Sequence, residues 1–135
     1  MNLKDAVPLM EPVPRKLLWE ELTTNRLVRP TRIGSNAVYI FTGLDAPNLM
    51  QEVGRLRELT FRDAGAGFGT AVDIDRFDTD DYPCKQLIVW DPGAEEILGG
   101  YRFNIFHKFK DNPLKDIPLA IKSLYKISDI FTAEY

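Results

Sequence analysis

The sequence predicts an α/β domain in which helices flank a central mixed or antiparallel sheet. A strand is expected from Ala37 to Thr42, where β-branched and aromatic residues stand in succession between two glycines. A helix is expected from Pro47 to Asp63, and a β-hairpin from Gln86–Trp90 and Ile97–Phe106. The chain thus contains segments with the periodicity of helices and segments with the alternation of strands, and this combination within one short chain favours helices packed on a sheet.

Residues 1–36 are predicted to be an N-terminal extension that contains a short amphipathic helix from Arg15 to Thr24. Ahead of the first expected strand, arginines recur at every third position, at Arg26, Arg29 and Arg32. Pro30 excludes a continuous helix through these arginines. They form either a solvated arm or a patch for an anionic ligand or a membrane headgroup.

The helix expected from Pro47 to Asp63 has clear start signals. Asp45 is placed near its N-cap and Pro47 in its first turn, where both residue types are favoured. Arg57 and Phe61 are four residues apart and therefore share one side of the helix. Another face is apolar and consists of Leu49, Val53, Leu56 and either Leu59 or Thr60.

The glycine-rich segment Ala64–Thr70 does not match a phosphate-binding loop. It follows a helix rather than a strand, and it has neither G-x-G-x-x-G spacing nor a Gly-Lys-Ser/Thr ending. We expect a flexible exit from the helix, with a substrate lid as the functional alternative.

A dense acidic run follows, made of Asp73, Asp75, Asp78, Asp80 and Asp81. An EF-hand that began at Asp73 would need glycine at position 78 and glutamate at position 84, and the chain has Asp78 and Cys84 there. A solvated acidic loop is one interpretation. Two apolar residues within the run, Ile74 and Phe77, favour a loop that is anchored to the body of the domain.

The second strand of the hairpin places Arg102 on one face with Gly100 and Asn104, while Tyr101 lies on the other face. An arginine among small or polar neighbours is typical of a site that binds a ligand or a carboxylate. Beyond His107 the pattern weakens into a polar loop and two short helical stretches.

The composition restricts the classes of function that the protein can have. The 135 residues suit one domain, and a net charge of -3 gives no basic surface for nucleic acid. No apolar run approaches the ~20 residues of a membrane helix. Cys84 is the only cysteine, which excludes an internal disulfide and favours the cytoplasm. Cys84 and His107 are either a thiol nucleophile with its base or ordinary packing and surface residues.

Taken in order, Arg57, Phe61, the segment Asp73-x-Asp75-x-Phe77-Asp78 and Arg102 resemble the acyl-homoserine-lactone synthases. The set is still more similar to the N-acyltransferases that make ornithine and glycine lipids, which often carry the label hemolysin. Both groups belong to the GNAT-like acyltransferase superfamily. The resemblance covers residues 38–106 well and implies a GNAT-like fold with an incomplete central sheet.

The resemblance implies a transfer reaction in aminolipid synthesis. A fatty acyl group would move from an acyl carrier protein or coenzyme A thioester to the amine of an amino acid or related acceptor, with no tightly bound cofactor and no metal. It implies a cytoplasmic enzyme, and it leaves peripheral membrane contact and a homodimer open.

The resemblance also implies roles for individual residues. Asp73, which stands where the synthases carry a glutamate, would help to deprotonate the amine, with Asp75, Asp78 and Arg102 as the other catalytic residues. Arg57 would join Asp75, Asp78 and Arg102 in an ion-paired cluster that orders the acceptor pocket. The substrate-binding residues would be Arg57, Phe61 and Tyr101.

By the same resemblance, residues 37–135 correspond to the N-terminal half of such an enzyme. No Gln/Arg-x-x-Gly-x-Gly/Ala sequence for binding the donor pyrophosphate follows Arg102. The alternative is a non-catalytic half-domain that binds a carrier protein or dimerises through an edge strand. A metal-dependent binding domain built on the aspartate run is a third hypothesis.

Overall fold

The central sheet has four antiparallel strands in the order β1-β2-β3-β4, in a computed structural model that describes residues 6–104. This arrangement confirms the predicted α/β class with helices beside an antiparallel sheet. The elements in chain order are α1 (Arg15–Glu21), β1 (Leu27–Pro30), β2 (Ala37–Thr42), α2 (Pro47–Asp63), α3 (Arg76–Thr79), β3 (Lys85–Asp91) and β4 (Glu96–Phe103). The stretches expected beyond His107 lie outside the described residues.

The expectation that Ala37–Thr42 would be the first strand was wrong. β1 precedes it and pairs with β2 through Leu27 opposite Tyr39 and Pro30 opposite Ala37. All four residues of β1 are exposed, and Pro30 ends the strand. Pairing with β2 therefore stabilises β1, and no local hydrophobic pattern in the sequence indicates this strand.

Arg26 does not belong to a free arginine arm. Its guanidinium donates to the carbonyl oxygens of Glu21 at 3.0 Å and Asp45 at 2.9 Å. It thereby joins the end of α1 to the turn that leads into α2. The predicted arm is reduced to Arg29 and Arg32, which are exposed.

The core lies between one face of the sheet and helices α1 and α2. Because side chains alternate across a strand, Ile88 and Trp90 of β3 share this face with Phe41 of β2. Leu18 of α1 and Leu49 of α2 pack against them. Each of these side chains is less than 5 % exposed, so the helices are held to the sheet by apolar burial.

A residue far away in the sequence caps helix α2. Asp45 was expected near the N-cap, but Ala46 occupies that position, and the Asp45 carboxylate accepts from the backbone N–H of Thr42 at 2.9 Å. The carboxylate of Glu21 in α1 accepts instead from the N–H groups of Asn48 at 3.1 Å and Leu49 at 2.7 Å. A sequence reading based on local capping signals does not detect this partner.

The acidic run is not wholly a loop, because its middle forms the short helix α3. Gly43 allows this helix to approach the sheet closely: a Cβ atom there would stand 2.4 Å from the backbone oxygen of Asp78.

Within residues 6–104, none of the helices is both apolar enough and long enough to span a bilayer.

We expect Gly43→Ala to lower the free energy of unfolding by about 1–3 kcal/mol, because the added methyl collides with backbone atoms that cannot rotate away. Gly99→Ala is the matched control, since a Cβ at Gly99 meets no atom within 4 Å. Its effect should stay within about 0.5 kcal/mol. Denaturant unfolding of both variants measures the difference, and equal stabilities would contradict the close approach at Gly43.

Candidate functional site

Four of the predicted site residues meet around the buried carboxylate of Asp78, which is 1 % exposed. Arg57 of α2 donates from Nη1 to Asp78 Oδ2 at 3.2 Å, and Arg102 of β4 donates from Nη1 to Asp78 Oδ1 at 3.4 Å. The same Arg102 nitrogen donates to Asp75 Oδ1 at 2.8 Å. The helix, the acidic segment and the strand thus contribute to one ion-paired cluster.

Gln86 of β3 completes this cluster, and the sequence interpretation missed it. Its Nε2 donates to Asp78 Oδ1 at 2.8 Å, and its Oε1 accepts from Arg57 Nη2 at 2.5 Å. The side chain is 1 % exposed. A signal was present in the strand, because Gln86 alternates in phase with the core residues Ile88 and Trp90. A polar residue at such a position needs a buried partner.

The acidic segment is shaped by a capping box on α3. Asp75 Oδ1 accepts from the N–H of Phe77 at 3.0 Å, and Asp78 Oδ2 accepts from the N–H of Asp75 at 3.1 Å. The Phe77 ring, 9 % exposed, lies 5.8 Å from the guanidinium carbon of Arg102. These contacts fix the directions of both carboxylates, as the anchored-loop interpretation expected.

Arg102 has hydrogen-bonding capacity to spare. Only its Nη1 donates to described residues, and its side chain is 30 % exposed. Burial opposes the charge, but hydrogen bonding and attraction to Asp75, together with the charge of Asp78, raise the pKa of Arg102 above its ordinary value. Within residues 6–104, the Nε and Nη2 edge of the guanidinium has no partner. Such an edge matches a carboxylate in bidentate geometry.

Asp73 lies beside the cluster without joining it. Its backbone N–H donates to the carbonyl oxygen of Gly54 at 3.0 Å, which holds it against α2. The described residues give its carboxylate no hydrogen bond or ion pair. Burial raises the pKa of Asp73 above its ordinary value of 3.8, the negative charges of Asp75 and Asp78 raise it further, and Arg57 opposes the shift.

Phe61 and Tyr101, both predicted to bind substrate, lie on different sides of the molecule. Phe61 is 45 % exposed and lines a groove of about 370 Å³ between α2 and the β3–β4 hairpin, together with Arg57. Tyr101 is 62 % exposed and alternates with Arg102 along β4, so it points to the opposite face of the sheet. The structure brings Phe61 close to the cluster and leaves Tyr101 apart from it.

Glu58, which no sequence motif indicated, organises the glycine-rich segment. Its fully buried carboxylate accepts from the N–H groups of Phe68 at 3.1 Å and Gly69 at 2.8 Å, and from Arg62 Nε at 2.8 Å. Burial alone would raise the pKa of Glu58, but these donors bring it below the ordinary value of 4.5. The segment expected to be a flexible exit is therefore fastened to α2 by hydrogen bonds.

Cys84 is a packing residue in the described part of the chain. It is 2 % exposed, its Sγ accepts from Asn104 Nδ2 at 3.4 Å, and burial raises the pKa of its thiol. A raised pKa disfavours the thiolate that a nucleophile needs. His107, its suggested base, lies outside the described residues.

The described acids do not form a metal site. Residues 6–104 contain no group of three or more His, Cys, Asp or Glu side chains placed to hold an ion. The two aspartates best positioned by the fold, Asp75 and Asp78, face arginines instead.

We expect Asp78→Ala to lower the free energy of unfolding by about 3–5 kcal/mol, because it leaves Arg57, Gln86 and Arg102 without their shared acceptor. Asp75→Ala should cost only about 1 kcal/mol, since Asp75 is 43 % exposed and mainly caps α3. Denaturant unfolding of the two variants measures the gap. Equal losses would show that Asp78 is not the centre of the cluster.

Comparison with known proteins places this arrangement in a family. The family model described as an acetyltransferase (GNAT) domain matches residues 56–133, which is more than half of the chain. The match begins in α2, one residue before Arg57, and it includes every predicted site residue. No solved structure gives a significant match.

Two curated relatives match nearly the whole chain. A glycine N(alpha)-acyltransferase of Bacteroides thetaiotaomicron is 46% identical over 127 residues, which are 94% of this chain and 38% of the relative. A glycine N(alpha)-acyltransferase of Phocaeicola vulgatus is 41% identical over 127 residues, which are 94% of this chain and 39% of the relative. The chain thus spans about two fifths of the length of these relatives. The match to the family model shows that the chain belongs to the GNAT acetyltransferase-domain family.

Proposed function

We propose that the chain forms the acceptor-binding part of an N-acyltransferase that transfers a fatty acyl group to the amine of glycine. The observation that carries this proposal is the edge of Arg102 that has no partner among residues 6–104, next to the cluster around Asp78. The carboxylate of Asp73, which is likewise unpaired within the described residues, lies nearby. A cation that binds the carboxylate and a base that deprotonates the ammonium group are what the acylation of an amino acid requires. The names of the two relatives support glycine as the acceptor.

The reaction forms one amide bond and breaks one thioester bond. The glycine ammonium first loses a proton, because only the neutral amine has the electron pair that attacks the thioester carbon. The nitrogen–carbon bond forms as the carbon–sulfur bond breaks, and the departing thiolate takes up a proton. The products are N-acylglycine and the free thiol of the donor.

Asp73 is proposed as the group that accepts the proton from the acceptor, directly or through a water molecule. A carboxylate with a raised pKa is a better base than an ordinary aspartate, and it has no competing guanidinium partner among the described residues. Asp75 and Asp78 are assigned to hold Arg102 in place rather than to take up protons, since both accept from its Nη1. Arg57 and Gln86 fix Asp78 in turn.

The donor is proposed to be a fatty acyl thioester of coenzyme A or of acyl carrier protein, with no tightly bound cofactor. We extend the proposal to glycine-lipid synthesis of the hemolysin-labelled subtype, in the cytoplasm and at the membrane periphery, because an N-acylglycine with a long chain is itself amphiphilic. The direct test incubates the complete protein with glycine and a long-chain acyl thioester. Mass spectrometry should detect N-acylglycine, and its absence with both donor types would overturn the proposal.

Arg102→Ala should lower kcat/KM for glycine by about 10- to 100-fold, because the lost hydrogen bonds to a charged carboxylate have that value. Ethylamine, an amine without a carboxylate, provides the matched substrate control. Its slow acylation should be nearly the same in the wild-type protein and the variant. An equal loss for glycine and ethylamine would mean that Arg102 does not bind the carboxylate.

Asp73→Asn should lower kcat by about 10²- to 10⁴-fold while making the folded protein more stable at neutral pH. The folded-state pKa of Asp73 lies above its ordinary value of 3.8, so the folded state favours the protonated carboxyl group. The contribution of this group to stability is therefore fully present below pH 3.8 and is lost as the pH rises through the folded-state pKa. Thermal unfolding should therefore give the Asn variant the higher Tm at pH 7, and the difference should close in acid.

Asp73→Glu provides the control for the base role, since it keeps the carboxylate and lengthens the side chain by one methylene. It should restore a substantial part of the activity that Asp73→Asn loses. Full activity of Asp73→Asn across the pH range would remove Asp73 from the mechanism.

A further inference from the structure

The groove between α2 and the β3–β4 hairpin is lined mainly by apolar groups. Val53, Leu56 and Phe61 form the helix side, and Ile97 and Leu98 belong to the strand side. Phe61 and Leu98 are 45 % and 51 % exposed in the described structure, so this apolar surface is accessible. The volume of about 370 Å³ lies within the range of small-molecule sites.

Among the described residues that line the groove, Arg57 is the one with a charged side chain, and it is already paired. Both Nη groups of Arg57 donate to the cluster, Nη1 to Asp78 and Nη2 to Gln86. Thr60 is the other lining residue with a polar side chain. A ligand with a charged group along its length would lose hydration here without gaining a partner. An uncharged, flexible apolar chain suits this wall.

We propose that the groove holds the alkyl chain of the acyl group during transfer, an inference that rests on the proposed function. The acceptor glycine has no side chain, so it has no apolar group that could fill a groove of this size. The acyl chain is the one extended apolar part among the reactants. Arg57 belongs both to the groove and to the cluster, so the groove borders the cluster that is assigned to the acceptor.

Burial in the groove would make the reaction depend on chain length. Each buried methylene contributes about a fourfold gain in binding, so a wall that blocks a few carbons changes the preferred donor strongly. Thr60 lines the groove from α2 and is exposed in the described structure, so a large side chain at this position can narrow the groove. Its neighbour Leu59, 38 % exposed, lies outside the groove and provides a matched position.

The test compares Thr60→Trp with Leu59→Trp in the complete protein, using saturated acyl thioesters from octanoyl to octadecanoyl with glycine. Thr60→Trp should shift the preference to shorter chains and lower the long-to-short ratio of kcat/KM by about tenfold or more. Leu59→Trp should keep the wild-type profile. Leu56→Ala removes groove wall instead of adding it and should raise the relative rate of the longest donors.

Binding of dansyl-labelled undecanoic acid provides a readout that needs no turnover. Thr60→Trp should weaken it by about tenfold, while Leu59→Trp leaves it unchanged. If the wild-type protein makes no N-acylglycine but binding follows this pattern, the proposed function fails and the alkyl groove stands. If it makes N-acylglycine and the two tryptophan variants have the same chain-length profile and affinity, the groove inference is overturned while the function stands.

Discussion

The carboxylate of Asp78 is buried at the point where α2, α3, β3 and β4 converge, and burying it costs several kcal/mol unless it is paired. Arg57, Gln86 and Arg102 each reach it from a different element. Satisfying this one group therefore fixes where the helix, the acidic segment and the hairpin lie relative to one another. The geometry of the site therefore depends on the pairing of the Asp78 carboxylate as much as on the apolar core.

The same constraint allows Arg102 to have a structural role together with the role in acceptor binding that we propose for it. Arg102 uses Nη1 for the two aspartates, which holds the plane of its guanidinium and, as far as the described part of the chain goes, leaves the other edge available. A preorganised donor edge loses less entropy when a ligand binds than a free side chain would. Asp73 differs because no described residue forms an ion pair with it, and Arg57 only partly offsets the effect of burial on its pKa. This environment suits the role of base that we propose for it.

The bounds of α2 and β2 were predicted from the sequence to the residue. Both have a strong periodicity, β2 stands between two glycines, and a proline marks the start of α2. Through the resemblance of an ordered set of motifs the sequence also predicted the four charged members of the cluster, which are Arg57, Asp75, Asp78 and Arg102. It did not predict β1, the cap that Glu21 provides to α2, or the buried Glu58 and Gln86. Each of these depends on a partner remote in the chain or on a burial that local pattern does not reveal.

The most direct measurement is a crystal structure of the complete protein with N-dodecanoylglycine, the product of the proposed reaction. We expect the product carboxylate on the Nε and Nη2 edge of Arg102, the amide nitrogen near Asp73, and the alkyl chain along α2 between Leu56 and Leu98. A product whose carboxylate lies away from Arg102, with the cluster around Asp78 intact, would contradict the assignment of this cluster as the acceptor site.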